Sequence, residues 1–138
     1  MAQGTRTAAA RMTPYIIDTS AILAVVFGEP GQETAARLAR GGIISSVTLA
    51  EIVSKCIERS IPEQIALDYV QDSNIDVTSF DEDVAILAGR LFAYAPKGTL
   101  SLGDRACLAT AIRHDGTAVT ADRIWAAFDL GCKIELIR

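Results

Sequence analysis

Four acidic side chains stand where they could do chemistry together: Asp18, Glu51, Asp104 and Asp122. Carboxylates without a usable histidine suit a hard cation such as Mg2+, which takes oxygen ligands and keeps several of its waters. Such an ion polarises a phosphoryl oxygen and lowers the pKa of a water molecule. Two of them about 3.5–4 Å apart can clamp both oxygens of an in-line displacement. Other chemistries are poorly supplied. His114 is the only histidine, and beside Asp115 at a helix C-terminus it fits a dipole-compensating surface role. The chain has no Gly-rich phosphate loop, G-x-S-x-G elbow or Walker lysine motif.

Each acid also has a plainer reading. Asp18 follows the apolar run Tyr15-Ile16-Ile17 and could cap the next helix, although Ser20 could do that alone and leave Asp18 for a cation. Glu51 starts an i, i+4, i+7 row with Lys55 and Glu58, which by spacing alone reads as a solvated face with a Glu51–Lys55 pair. Asp104 stands three residues after Ser101, the shape of a capping box. Asp122 repeats the strand-then-acid arrangement of Asp18, and two such acids on separate strands are harder to dismiss as two caps.

The elements that must position these acids follow from the alternation of short apolar runs with helical patterns. That alternation predicts an α/β layered domain with a mainly parallel sheet. Strands are expected at 15–18, 43–45, 75–78, 117–120 and 133–136, and helices over 20–27, 32–40, 47–59, 62–72, 82–94, 102–114 and 123–128. Asp81 ahead of Glu82-Asp83, Pro62 in a first turn and Asp115-Gly116 at a stop mark boundaries. In open α/β sheets ligands sit beyond the carboxyl ends of the strands, where Asp18 and Asp122 fall.

A length of 138 residues suits one domain with a core of its own. Half of the residues are hydrophobic, which excludes global disorder. The longest apolar run, Ala21 to Phe27, is far short of the ~18 residues that cross a bilayer, so a soluble, cytoplasmic chain without membrane association is expected. Residues 1–12 read as a flexible polar lead ahead of a domain over 13–138. Arg6 and Arg11 interrupt the apolar stretch that a secretory signal needs, and Met12 is an alternative start. Cys56, Cys107 and Cys132 form no C-x-x-C pair; the first two lie in apolar helical patterns, as buried inert thiols do. A net charge of −4 argues against a nucleic-acid partner, but with the four site acids set aside the remainder is 13 basic against 13 acidic. Bound divalent cations would reverse the local sign.

Together these pieces resemble the PIN-domain ribonucleases, most closely the VapC-type toxins of bacterial toxin–antitoxin pairs. The likeness is carried by YIIDTSAILAVVFGEP at 15–30, SSVTLAEIVSK at 45–55, SLGDRACLATAIRHDGTAVTADRIW at 101–125 and KIELI at 133–137. The D-T-S-A opening alone is weak. The L-G-D-R-A-C-L-A helix followed by V-T-A-D-R-x-W is far more specific, and all pieces keep the family's order.

The resemblance implies a three-layer α/β/α sandwich on a five-stranded parallel sheet of order 3-2-1-4-5, which sets Asp18 beside Asp122. It also implies that Asp18, Glu51, Asp104 and Asp122 are the catalytic quartet, with Asp18, Asp104 and Asp122 as ligands of Mg2+ or Mn2+. Thr19, Ser20 and Thr120 would support the site through their hydroxyls, and Lys97, Arg105 and Arg123 are candidate contacts to RNA phosphates. The implied activity is endoribonucleolytic hydrolysis by a cation-activated water. The implied partners are a VapB-type antitoxin and a second copy of the chain. A non-catalytic RNA- or protein-binding module of the same fold is the alternative, although such a module should lack part of the quartet. A receiver domain would want an acid closing the third strand, which ends Val77-Thr78-Ser79, and a haloacid-dehalogenase phosphatase would want an acid where Ser20 stands.

Overall fold

The computed structural model describes residues 13–138, so the expected lead at 1–12 lies outside the described residues. The chain runs β1 (Tyr15–Ile17), α1 (Thr19–Phe27), α2 (Gln32–Ala39), β2 (Ile43–Ser45), α3 (Ser46–Glu58), α4 (Glu63–Asp72), β3 (Asp76–Thr78) and α5 (Glu82–Arg90). It continues through a 3-10 turn (Leu91–Tyr94), α6 (Leu102–Arg113), β4 (Thr117–Thr120), a second 3-10 turn (Arg123–Ala127) and β5 (Lys133–Leu136). The strands are all parallel in the order β3-β2-β1-β4-β5.

Alternation along the strands divides the core into two layers. Ile17, Ile44 and Val119 pack with α1 to α4 on one face, against Ala24, Leu38, Ile52, Cys56 and Val70. Ile16 and Ala118 point the other way, into Val84, Ala88, Leu91, Cys107, Leu108 and Trp125 from α5, α6 and the 3-10 turns. β1 is buried on both faces and reads as continuously apolar, as inner parallel strands do. β3 is an edge strand, and Asp76 and Val77 are exposed there.

Local chemistry sets the boundaries. Gly28 ends α1 in the left-handed region, φ 69°, and its N–H returns to the carbonyls of the last turn. Asp81 Oδ1 accepts from Val84 N at 3.0 Å at the start of α5. Pro62 occupies the N-cap of α4, one place before its first turn. The expected helix over 82–94 instead tightens into 3-10 geometry after Arg90, because Pro96 holds Ala95 extended and the chain must turn out before it. The segment after Asp122 is likewise a 3-10 turn and not an α-helix. His114 closes α6 at the surface, and Cys56 and Cys107 are buried free thiols.

α6 is seated by Leu108, which is 0% exposed, whereas Ile57 on α3 is 65% exposed. Leu108→Ala should therefore cost about 2–5 kcal/mol, and Ile57→Ala no more than about 0.5 kcal/mol. Urea unfolding of both variants checks this; equal losses would contradict the seating of α6.

Candidate active site

The site begins with the pairing of two strands that are a hundred residues apart in the chain. β1 and β4 run side by side with Ile17 opposite Val119, so both backbones leave the sheet at the same edge. Asp18 N is still tied to Val119 O at 2.8 Å, while its own carbonyl accepts the first N–H groups of α1. Asp18 thus holds the N-cap position, yet its side chain makes no capping bond. Ser20 does not cap either, contrary to one reading of the sequence. Its hydroxyl donates to Asp18 Oδ2 at 2.7 Å and accepts from Ala121 N at 2.9 Å.

Thr120 completes this cradle. Its Oγ1 donates to the same Asp18 Oδ2 at 2.8 Å and accepts from Asp122 N at 3.0 Å, fixing the backbone of one acid to the carboxylate of another. Asp18 is 5% exposed and makes no ion pair among the described residues. Burial pushes its pKa up to about 6. The Ser20 and Thr120 hydroxyls pull it down, and the negative charges of Asp104 and Glu51 push it further up.

Asp104 reaches the same region from the first turn of α6. The capping box that the sequence suggested is present, and it occupies only one of the two carboxylate oxygens. Its Oδ2 accepts from Ser101 N at 3.0 Å while its own N–H donates to Ser101 Oγ at 3.1 Å, a complete capping box. Burial raises its pKa, the Ser101 bonds oppose the rise, and the charges of Asp122 and Glu51 add to it. Glu51 does not pair with Lys55, which instead meets Glu58 at 3.4 Å. Thr19 Oγ1 donates to Glu51 Oε1 at 2.6 Å. Asp122 Oδ1 accepts from Ile124 N at 3.1 Å and so starts the second 3-10 turn.

One regularity emerges. Each acid spends one oxygen on the protein, and Asp18 Oδ1, Glu51 Oε2, Asp104 Oδ1 and Asp122 Oδ2 have no protein donor among the described residues. Oxygen donors of this kind fit a hard divalent cation. They do not form a finished cage, for no three acids, cysteines or histidines among the described residues converge closely enough to enclose an ion. The two facts are compatible, because Mg2+ commonly binds through one or two carboxylates and keeps its waters.

The expected basic contacts are placed differently. Arg105 N–H donates to Ala88 O at 3.0 Å and its guanidinium lies 5.4 Å over the Phe92 ring, so it joins α6 to α5. Arg123 donates to Arg138 O at 3.0 Å. Lys97, exposed in the turn after Pro96, has no ion-pair partner among the described residues. A residue with no role assigned from sequence, Gly103, packs directly on the Glu51 carboxylate. A cleft of about 530 Å3 lies at the opposite end of the sheet between Thr13, Gly116 and Lys133, and none of the four acids lines it.

The family model of the PIN domain matches residues 15–130. This chain belongs to the PIN-domain family. Among solved structures, this PIN domain is similar to a chain of a DNA-bound VapBC complex from Salmonella typhimurium, with 24% identity, a TM-score of 0.69 and coverage of 92% of this chain and 100% of that one. A chain of a toxin–antitoxin complex from Klebsiella pneumoniae gives 18%, 0.70, 90% and 98% in the same order. A chain of FitAcB from Neisseria gonorrhoeae gives 19%, 0.64, 89% and 97%. At these identities the likeness is one of fold. No curated protein matches the chain.

The buried Asp18 sets a pH dependence for the metal-free PIN domain. Between the ordinary value of 3.8 and about 6 the folded state holds a proton that the unfolded chain has released, so stability falls as pH rises through that window. The loss should be on the order of 3 kcal/mol by pH 7, and Asp18→Asn should remove it. Urea midpoints from pH 4 to 7.5 in chelator check this; a slope unchanged by Asp18→Asn would contradict the burial account.

Proposed function

We propose that this PIN domain is the toxin of a type II toxin–antitoxin pair, a cytoplasmic endoribonuclease that hydrolyses RNA with the help of Mg2+, for which Mn2+ can substitute. The carrying observation is that four acids from four segments each keep one carboxylate oxygen without a protein donor. Asp18, Asp104 and Asp122 would hold the cation. When bound, it would polarise a phosphoryl oxygen and make a water more acidic.

The remaining work belongs to the chain. Ser20 and Thr120 fix Asp18 through Oδ2 and leave Oδ1 to face the ligand. Asp104 Oδ1 or Asp122 Oδ2 is free to orient the attacking water and take its proton. Thr19 aligns Glu51. Lys97 is the best placed of the three basic residues to meet an RNA phosphate, since Arg105 and Arg123 already bond to backbone carbonyls.

The similar folds come from a VapBC complex and a toxin–antitoxin complex, which supports a VapB-type antitoxin as partner. Exposed apolar side chains occur on α3 and α4 (Ile57, Ile65) and from α5 to α6 (Ile86, Phe92, Tyr94, Leu102). Two such faces suit an antitoxin and a second copy of the chain. Among the described residues no helix is long and apolar enough to cross a membrane. The open arrangement of the acids favours one competing reading, a non-catalytic module that binds RNA or protein.

Incubation with single-stranded and structured RNAs, with and without Mg2+ or Mn2+, separates the two. Metal-dependent cleavage is expected. Asp104→Asn should lose more activity than the roughly 10–100-fold that an outer partner of a ligand is worth, and Thr120→Val should fall within that range. Asp104→Ala should in addition lose about 0.5–2 kcal/mol with its half of the capping box. Cleavage that survives complete chelation, or RNA binding without cleavage under any metal, would overturn the proposal.

A further inference from the structure

Gly103 is a glycine without a backbone reason. It lies in the first turn of α6 with an ordinary helical conformation, where alanine would be the better helix former. Its surroundings explain it. A Cβ at this position would stand 2.6 Å from Cδ of Glu51 and closer still to Oε2, so the missing side chain is the space that the Glu51 carboxylate fills. On its other side the same carboxylate is held by Thr19 Oγ1 at 2.6 Å. Three separate segments therefore meet at Glu51: the start of α1, the middle of α3 and the first turn of α6.

We propose that Gly103 is a positioning residue for Glu51: its lack of a side chain lets that carboxylate lie against the first turn of α6, next to Asp104. The inference rests on the metal-dependent reading of the site. The overlapping atoms are the far end of a flexible side chain, so a methyl group at 103 can be accommodated if Glu51 swings away. Such a swing breaks the Thr19 bond and takes the fourth acid out of the site while the helices stay packed. Gly103 thus acts on the cation through Glu51 alone.

The test is a double-mutant cycle of Gly103→Ala with Glu51→Ala, read by metal-free thermal melts and by Mn2+ titration calorimetry. With Glu51 present, Gly103→Ala should weaken Mn2+ binding at least tenfold on the order of an outer-shell loss and give no gain in melting temperature. With Glu51 replaced by alanine, the same change should raise the melting temperature and leave Mn2+ affinity unaltered. Effects of Gly103→Ala that are equal in both backgrounds would overturn the proposal, since a purely structural role would show that pattern. Should Gly103→Ala fail to fold, recovery of folding in the double variant supports the pairing and failure of both contradicts it. A wild-type protein that binds no Mn2+ defeats the metal reading and the role given to Gly103, whereas the melts would still reveal whether the two side chains collide.

Discussion

Asp18 carries its carboxylate into a position 5% exposed, and what holds it there is a pair of hydroxyls on one oxygen, Ser20 from two residues onward and Thr120 from 102 residues onward. A carboxylate buried without a cation is costly unless hydrogen bonds satisfy it. Those bonds exist because β1 and β4 pair in parallel and end together. The rest of the acidic edge depends on this arrangement. Thr120 uses the same Oγ1 to fix the amide of Asp122, and Thr19, between Asp18 and Ser20, reaches across to Glu51. Shift the register of β4 by one residue and Thr120 would face away from Asp18, since alternate residues point to opposite faces.

The acidic edge works against folding. Burial and the neighbouring acids raise the pKa of Asp18 and Asp104, which means that both are destabilised as anions. A site arranged only for stability would bring in an arginine or lose an acid. Here the two arginines adjacent to the acids in sequence are turned elsewhere, Arg105 to Ala88 and Phe92 and Arg123 to Arg138 O, and neither forms an ion pair with them among the described residues. Stored repulsion of this kind is what a cation site has before the cation arrives, and binding to the native state alone then raises stability by mass action. The position at the carboxyl ends of parallel strands agrees with where open α/β sheets place ligands. The cleft at the opposite end has no comparable set of acids.

Much of this was readable from residue order, and the failures are instructive. Strand positions, parallel layering and the boundaries at Asp81 and Asp115-Gly116 follow from local patterns that the tertiary structure does not override. Side-chain partners were less legible, because they depend on which segments the sheet brings together. Spacing pointed Glu51 at Lys55, one helical turn away, but its hydroxyl partner Thr19 is 32 residues away. At Asp104 the two readings need not compete, since the capping bond takes one carboxylate oxygen and leaves the other without a protein donor among the described residues. The intramolecular partners of the basic residues beside the acids were hidden in the same way, and Arg105 leaves the helix on the side of α5. Gly103 carried no signal in isolation, and only the packing of α3 against α6 brings it against the Glu51 carboxylate.

The central claim is that the edge formed by Asp18, Glu51, Asp104 and Asp122 is where a divalent cation binds. Paramagnetic broadening by substoichiometric Mn2+ in amide spectra of the intact protein tests it directly, because the effect falls steeply with distance from the ion. The account predicts early loss of the signals of residues 18–20, 51, 103–105 and 120–122, with those of 115–116 and 131–133 at the far cleft retained. Broadening centred on the far cleft, or spread evenly over the surface, would contradict it.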